Sequence, residues 1–328
     1  MAEITTFQTV LEALQEPKKE FPQVYLQHFS DLDPQALKSL MAAWPRLKLN
    51  RKLSLLDGLL SMLDSDTLVS FEDLGRALLN DPEADVRTRA IRLLAESDDP
   101  KLVRNLIDIL QNDPDLGPRL EAADLLGEFV LLGELEELPQ NLHHESEDAL
   151  LKVFNSEEHA ILRRHSLEAL GFSSRQEMET LIRSAFSRAD PAWISSALTA
   201  MGRSSDLHWS EPVVSMLLNE DARIRQAAVR AAGELSLEPA RSVLLHMLEE
   251  EDDDDVTSAA IWSLSQIGGE DVREYLEALV DQTDDEDLIE YIDEALGNLD
   301  FTEDLEHFDL MSLDEDELDA LNEDEGER

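Results

Sequence analysis

The chain has 328 residues, a formal net charge of −47 and no cysteine. Without cysteine there are no disulfides, no thiolate metal site and no cysteine nucleophile, and the composition suits a reducing cytoplasm. The negative charge opposes binding to nucleic acid and to anionic membranes, because both depend on Lys and Arg that neutralise phosphates. We see no secretory signal at the start, and the apolar runs are too short to span a bilayer. The composition predicts a cytoplasmic protein that binds neither nucleic acid nor membranes.

Residues 1–69 contain amphipathic segments without a repeated phrase. We expect helices over Phe7–Leu14, Pro34–Trp44 and Leu47–Leu63, the second of them capped by Asp33. Terminal units of a repeat protein cover the open end of the stack. This segment is therefore predicted to be an N-terminal helical cap made of diverged helix pairs.

A short phrase then recurs at a step of about 32 residues, the kind of period that marks stacked repeat units. Its clearest copy begins at Asp81-Pro82, continues with Val86-Arg87 and ends in small and apolar residues. Equivalent positions are held later by Arg119, Leu126 and Gly127; Arg163, Leu170 and Gly171; Ala197, Met201 and Gly202; Arg225, Ala232 and Gly233; Val256, Ala260 and Leu264; and Ile292, Leu296 and Gly297. Units of this kind bury their apolar faces only against their neighbours. The repeat predicts an all-α solenoid over residues 70–299.

Each unit is predicted to consist of two antiparallel helices, because its apolar residues are three and four apart. The first helices are expected at Phe71–Leu79, Lys101–Leu110, Glu147–Phe154, Glu177–Phe186, Glu211–Leu218, Pro239–Leu248 and Asp271–Val280. The second helices are expected to begin at acidic caps, namely Asp81, Asp113, Asp190 and Asp221. A glycine recurs in the second helices although it costs about 1 kcal/mol relative to alanine there. We expect it to permit close approach of the neighbouring helix.

The acid at Asp81, the pair Val86-Arg87 and the Leu-Gly or Leu-Ala ending resemble HEAT repeats. The short step is similar to that of bacterial HEAT repeats of the bilin lyase type. The resemblance covers about residues 70–299 and implies an α-solenoid of about seven short helix pairs behind the N-terminal cap. It implies the fold strongly and leaves the function open.

The same resemblance implies a ladder of acidic and arginine side chains between successive units. Its members would be Asp81 with Arg87, Asp113 with Arg119, Glu157 with Arg163, and Asn219 with Arg225. We interpret these arginines as structural, because a buried guanidinium needs an acidic or carbonyl partner. Ile194, Thr257 and Ile289 stand where arginine is expected, so the ladder should be interrupted in mid-chain and lapse toward the C-terminus.

One break in the repeat lies between Gly127 and Gly171, where the step grows to 44 residues. The surplus falls around residues 131–141. We expect a longer helix or loop there, and a binding loop is the alternative, since insertions in repeat proteins map to loops.

The other break is the acidic tail, residues 300–328. Residues 301–328 contain 13 Asp/Glu and a single Arg. Such charge density predicts disorder and a solubilising role. Large apolar residues within it, including Phe301 and Phe308, leave open a segment that orders on a partner or docks weakly on the less acidic N-terminal half.

No catalytic or metal motif is complete in the sequence. His144-Glu145 is the single His-Glu pair, and Asp148 stands where a His-Glu-x-x-His zinc site needs its second histidine. An iron site of the helical-repeat oxygenase kind needs several such pairs. The acidic stretch Asp281–Glu290 lacks the glycine and the alternating acids of a calcium loop. We therefore expect no cofactor, no metal and no enzymatic activity.

In HEAT-type stacks the second helices line the concave face, and this face is where a partner should bind. Two rows of equivalent positions follow from the repeat: Arg92, Asp124, Glu168, Thr199, Arg230, Trp262 and Glu294, and Arg89, Glu121, His165, Ser196, Ala227, Ala259 and Tyr291. Aromatic residues and arginine are enriched at binding hot spots. The partner-binding candidates are therefore Trp262, Tyr291 and Arg230, accompanied by Arg89, Arg92 and His165. The alternative for Trp262 is packing against an adjoining turn.

The sequence thus predicts a monomeric, non-enzymatic scaffold or adaptor that binds a protein partner on the concave face. Two alternatives stay open. One is an enzyme or enzyme accessory of the bilin lyase-like or metal oxygenase type. The other is an acidic chaperone or nucleic-acid mimic that shields a basic partner.

Overall fold

The computed structural model describes residues 6–16 and 18–302, which form helices, turns and loops without a β-strand. They fall into two compact units, one within Met1–Leu170 and the other within Gly171–Arg328. The all-α class predicted from the apolar spacing is therefore confirmed. None of the described helices is both long enough and apolar enough to cross a membrane.

The first unit opens with the predicted N-terminal cap. Its helices are α1 (Phe7–Gln15), α2 (Pro34–Ala43) and α3 (Leu49–Ser65), with a 3-10 helix at Gln23–Phe29. Asp33 caps α2 as predicted, because its Oδ1 accepts hydrogen bonds from the amides of Gln35 and Ala36 at 2.8 and 2.9 Å. Phe29 and Leu40 are fully buried and anchor the core of this segment.

Three helix pairs complete the first unit. They are α4 (Glu72–Leu78) with α5 (Ala84–Arg92), α6 (Leu102–Asn112) with α7 (Leu116–Glu134), and α8 (Gln140–Phe154) with α9 (Ala160–Ala169). The second helices pack in succession, α5 against α7 and α7 against α9. Their apolar stripes are buried between the pairs, as Val86, Leu106 and Leu126 show.

The second unit contains four helix pairs built in the same way. They are α10 (Met178–Phe186) with α11 (Pro191–Arg203), α12 (Ser210–Val214) with α13 (Ala222–Glu234), α14 (Arg241–Glu250) with α15 (Asp254–Ile267), and α16 (Glu270–Val280) with α17, the helix over residues 286–302. Here too the second helices follow one another, with α13 packed between α11 and α15. All the helix pairs that the repeat predicts are present.

Glycines in the second helices lie where the next second helix comes closest. A Cβ atom at Gly127 would lie 3.0 Å from the Cα of Ala169, and one at Gly202 would lie 2.9 Å from the Cα of Ala231. Both separations are shorter than an ordinary carbon–carbon contact, so the predicted close approach is confirmed. At Gly297 the prediction is wrong, because no described atom lies within 4 Å of such a Cβ.

An ion-pair ladder joins successive helix pairs. Arg87 donates to both carboxylate oxygens of Asp113, at 2.7 Å each, and to the backbone carbonyl of Asp81 at 2.9 Å. In the second unit, Arg225 donates to the two carboxylate oxygens of Glu251 at 2.8 and 2.6 Å. These bidentate pairs confirm that the repeated arginines are structural, and they place each rung between one pair and the next.

The N-terminal cap supplies the first rung. Asp81 Oδ2 accepts a hydrogen bond from Trp44 Nε1 at 2.7 Å and lies 3.1 Å from Lys52 Nζ. Trp44, Lys52 and Asp81 are all buried. The predicted ladder between successive units is confirmed for Arg87, whose carboxylate partner is Asp113 of the next pair, while the Asp81 carboxylate is bound by the cap.

The ladder contact is kept where arginine is present and is weaker where another residue replaces it. Arg119 donates to the Leu110 carbonyl at 2.8 Å and pairs with Glu158 at 2.9 Å. Thr257, at the equivalent position of a later pair, donates instead to the Asp253 carbonyl of its own helix at 3.1 Å. The predicted lapse toward the C-terminus is confirmed at this position.

Only two of the four predicted acidic caps act as caps. Asp190 and Asp221 each accept a hydrogen bond from the amide two residues later at 3.0 Å, at the start of α11 and α13. Asp81 and Asp113 precede the start of α5 and α7 by more than one residue, so this prediction is wrong for them. Their carboxylates belong to the ion-pair ladder instead, Asp81 with Lys52 and Asp113 with Arg87.

The surplus residues of the irregular repeat extend its two helices. Helix α7 runs for 19 residues to Glu134, and α8 begins at Gln140. The turn between them is tight, with Glu136 at a φ of 62° and Leu138 buried. The expectation of a longer helix is confirmed.

The start of the predicted tail is helical, because α17 continues through residue 302. Residues 303–328 lie outside the described residues. Disorder, partner binding and docking of the tail therefore stay predictions.

Candidate functional site

In the first unit, the predicted binding residues on the second helices are engaged in ion pairs between helix pairs. Arg89 Nε donates to Asp57 Oδ1 at 2.6 Å, from α5 to α3. Arg92 pairs with Glu121 of α7 at 2.5 Å. Whether Arg89 and Arg92 also contact a partner stays a prediction, and a partner would have to compete with these carboxylates.

His165 belongs to the same series of contacts. Its Nδ1 lies 2.8 Å from Asp124 Oδ1, which joins α9 to α7. The hydrogen bond to Asp124 raises the pKa of His165 above its ordinary value, against the opposing effect of partial burial. Asp124 on the neighbouring helix pair therefore stabilises the charged form of His165. In this structure His165 links α9 to α7.

In the second unit, the three strongest candidates do come together. Arg230 of α13, Trp262 of α15 and Tyr291 of α17 line one cleft of about 430 Å³. The rings of Trp262 and Tyr291 are 6.4 Å apart with an interplanar angle of 35°. We call this site the second-helix cleft; its other lining residues are Glu234, Ser258, Ala259, Ser263 and Gln266. The repeat spacing alone predicted that Arg230, Trp262 and Tyr291 lie near one another.

The two aromatic residues differ in exposure. Trp262 keeps 38% of its surface exposed, as predicted. Tyr291 is only half-buried rather than exposed, because its hydroxyl donates to the Ser258 carbonyl at 3.0 Å. The predicted exposure of Tyr291 is therefore wrong in part, and burial raises the pKa of its hydroxyl. Tyr291 supports the wall of the cleft and Trp262 presents its ring to solvent.

The polar groups of the second-helix cleft have opposite charges. The pKa of Glu234 is raised above its ordinary value, because desolvation outweighs the opposing effect of the positive charges of Arg203 and Arg230. Ser263 Oγ is buried and makes no hydrogen bond with any described residue. A ligand side chain in this cleft would meet an aromatic face, a guanidinium, a carboxylate and a hydroxyl.

A second cleft, of about 510 Å³, lies in the N-terminal cap and was not predicted. It is lined by five basic residues, Lys18, Lys19, Arg46, Lys48 and Arg51, with Glu20 as its one acidic residue. Arg51 donates to the Glu16 carbonyl at 2.8 Å, which fixes it at the wall. We call this site the basic cleft. In the sequence this cleft is visible only as a local lack of acids. Its basic residues come from the segment after α1 and from the segment that leads into and begins α3.

One group of side chains has metal-ligating chemistry. His143, His144 and Glu147 of α8 offer ligand atoms that all lie within 4.8 Å of one another. This group was not predicted, because the sequence pointed only to the pair His144-Glu145. The signal was the i, i+4 spacing of His143 and Glu147, which places both on one helix face.

The comparisons with known proteins follow this geometry. The family model described as HEAT repeats matches residues 71–171, 178–265 and 210–297, which together cover more than half of the chain. The protein therefore belongs to the HEAT-repeat family, and the resemblance predicted from the repeat phrase is confirmed. No curated protein sequence gives a significant match.

Several solved structures are similar in fold. The CpcE–CpcF complex of phycocyanin lyase from Nostoc sp. has 17% identity and a TM-score of 0.48, over 70% of this chain and 94% of that chain. Human deoxyhypusine hydroxylase has 15% identity and a TM-score of 0.34, over 80% of this chain and 95% of that chain. The karyopherin Kap121p bound to the extreme C-terminus of the phosphatase Cdc14p has 14% identity and a TM-score of 0.44, over 90% of this chain and 38% of that chain. At identities and TM-scores this low, nothing about activity, partners or ligands follows.

Proposed function

We propose that this protein is a non-enzymatic scaffold that binds a segment of a partner protein in the second-helix cleft. The observation that carries the proposal is the exposure of Trp262. The other three tryptophans, Trp44, Trp193 and Trp209, are only 2%, 4% and 2% exposed, so Trp262 is the one tryptophan that presents much of its surface to solvent. An exposed tryptophan beside an arginine is the composition of a binding hot spot.

The chemistry of the cleft indicates what the partner presents. The faces of Trp262 and Tyr291 suit an apolar or aromatic side chain, because such rings bury a large area at a small cost in side-chain entropy. Arg230 and Glu234 suit a polar or charged group next to it. We therefore expect a short amphipathic segment with one large apolar side chain as the anchor.

The test is quantitative affinity capture from the native host with the wild-type protein, Trp262→Ala and a matched control. The control is Leu218→Ala, which removes an apolar side chain that is 75% exposed in the same unit and lies outside the cleft. Loss of a hot-spot tryptophan should weaken the captured partner by about 2 kcal/mol, roughly 30-fold in affinity. The control should capture as the wild type does.

Capture that is equal for all three proteins would contradict the proposal. Metal analysis and the absorbance spectrum of the purified protein address the alternative of an enzyme of the lyase-like or oxygenase type. An intact partner complex that dissociates in moderate salt, with no effect of Trp262→Ala, would instead favour an acidic protein that shields a basic partner.

A further inference from the structure

The extended repeat of the first unit contains a polar cluster at the place where its extra turns meet. Glu134 is the last residue of α7, and His143, His144 and Glu147 occupy the first two turns of α8. We call these four residues the His-Glu cluster.

The cluster is buried at its centre. The side chain of Glu147 is 2% exposed and that of His143 is 12% exposed, whereas His144 at the edge is 53% exposed. A buried carboxylate is costly unless a positive charge or hydrogen-bond donors compensate it. Histidine imidazoles and a metal ion can both compensate the carboxylate of Glu147.

His143 is held against the backbone of α7 by a glycine. A Cβ atom at Gly133 would overlap the ring of His143, with 2.7 Å to its Cβ and still shorter separations to ring atoms. A glycine within a helix costs about 1 kcal/mol relative to alanine. The space that Gly133 leaves for the ring of His143 therefore reduces the stability of the helix. His143 Nε2 is buried within the cluster and makes no hydrogen bond with any described residue. The imidazole is therefore positioned, and its outer nitrogen is unsatisfied.

The ligand atoms of His143, His144 and Glu147 all lie within 4.8 Å of one another, whereas Glu134 lies outside that group, beside His143, and reaches a shared ion by a shift of its side chain. His143 Nε2 lies 3.5 Å from Glu134 Oε1 and 3.7 Å from Glu147 Oε1, and His144 Nδ1 lies 3.3 Å from Glu147 Oε2. Ligands at about 2.1 Å from a tetrahedral Zn²⁺ are separated by about 3.4 Å from each other. The separations are too long for strong hydrogen bonds and close to those of ligands around a shared ion.

We propose that His143, His144, Glu147 and Glu134 bind a structural Zn²⁺ ion. His143 Nε2 and His144 Nδ1 supply two imidazole ligands, Glu147 supplies the buried carboxylate, and Glu134 supplies the fourth ligand from α7. Two imidazoles favour zinc over calcium or magnesium, which prefer oxygen ligands. Four protein ligands close the coordination shell, so the ion fastens α7 to α8 and activates no water.

The test is titration of EDTA-treated, full-length protein with ZnCl₂ at pH 7.5, followed by isothermal calorimetry and by thermal unfolding. The expected result is one equivalent of bound Zn²⁺ and a higher melting temperature. Cobalt(II) should give the visible absorption of a tetrahedral site, which is independent of stability. His144→Ala changes an exposed residue and should fold, and it should weaken binding at least 10-fold. His143→Gln should weaken it by about 100-fold.

The matched control is His246→Ala. His246 of α14 has Glu249 and Glu250 at the same helical spacings, with His–Glu separations of 3.5 and 3.4 Å, but its side chain is 63% exposed. It should bind Zn²⁺ as the wild type does. Absence of stoichiometric binding by the wild type, unchanged binding by His143→Gln and His144→Ala, or loss of binding in His246→Ala would each overturn the proposal.

Discussion

Arg225 of α13 and Glu251 at the end of α14 form a bidentate ion pair that joins two successive helix pairs. Their side chains are 18% and 8% exposed, so the contact is largely removed from water. The hydrogen bond from Arg225 lowers the pKa of Glu251, and the same contact raises the pKa of Arg225. Arg225 also donates to the Asn219 carbonyl at 2.8 Å, which ties it to the turn before its own helix.

Replacing Arg225 with alanine should therefore destabilise the protein. The expected loss in free energy of unfolding is about 3 kcal/mol, because the buried carboxylate of Glu251 loses its partner. The control is Arg223→Ala, two residues away on α13, where the side chain is 69% exposed and pairs with Asp221 at the start of the same helix. That variant should unfold at nearly the same denaturant concentration as the wild type, because an exposed ion pair contributes little to stability. Chemical denaturation monitored by circular dichroism measures the stability of both variants. Equal losses would show that the contact between Arg225 and Glu251 contributes no more than the exposed pair.

The glycines of α11 and α17 give a second matched comparison. Gly202→Ala should destabilise by about 1–3 kcal/mol, because the new Cβ would lie 2.9 Å from the Cα of Ala231. Gly297→Ala should be neutral or stabilise by up to about 1 kcal/mol, because the new methyl group meets no described atom and alanine favours the helix. Melting curves of the two variants beside the wild type test this. A Gly297→Ala variant as unstable as Gly202→Ala would mean that Gly297 is covered.

His165 should make stability depend on pH. Its folded-state pKa is raised, chiefly by the hydrogen bond to Asp124, with a further contribution from the charge of Glu168 and an opposing one from Arg164. A raised pKa means that the contribution is complete below the unfolded value, about 6.5, and is lost as pH rises through the folded value. His165→Gln should remove this dependence. The measurement is the free energy of unfolding between pH 6 and 8, and identical profiles for the two proteins would contradict the assignment.

The basic cleft should bind acidic peptides despite the net charge of the chain. A hexaglutamate peptide should bind weakly at low ionic strength, and binding should decline as salt screens the contact. Lys48→Glu should weaken it several-fold. Lys38→Glu makes the same charge change at an exposed position of α2 outside the cleft and should have little effect. Fluorescence anisotropy of a labelled peptide compares them, and equal loss in both variants would indicate a general charge effect.

The repeat phrase made much of the fold predictable, because the same residues recur wherever the same contact recurs. Helix pairs, glycine contacts and structural arginines followed from Arg87, Gly127 and their equivalents. The partner of each arginine did not follow, since Asp81 and Asp113 precede arginines in sequence while Arg87 reaches forward to the next acid. Sequence spacing indicates which residues face an interface and not which of two acids a long side chain reaches.

The candidate sites were predictable only where the repeat passes through them. Trp262 and Tyr291 share a cleft because the two rows of repeat positions that contain them meet between α15 and α17. The basic cleft and the His-Glu cluster lie in the cap and in the irregular repeat, where no period relates one helix to the next. His143 and Glu134 meet there because the chain reverses direction between α7 and α8.

The ladder also has a consequence for how the chain acquires its structure during synthesis. Its rungs join residues that are close in sequence, 29 apart for Lys52 and Asp81, and 26 apart for both Arg87 with Asp113 and Arg225 with Glu251. Chains rich in such local contacts fold fast, and a growing polypeptide folds its N-terminal part first. Each helix pair can therefore complete its interface as soon as the next acid has left the ribosome, and the N-terminal cap, which emerges before the repeats, provides the surface on which the first pair assembles.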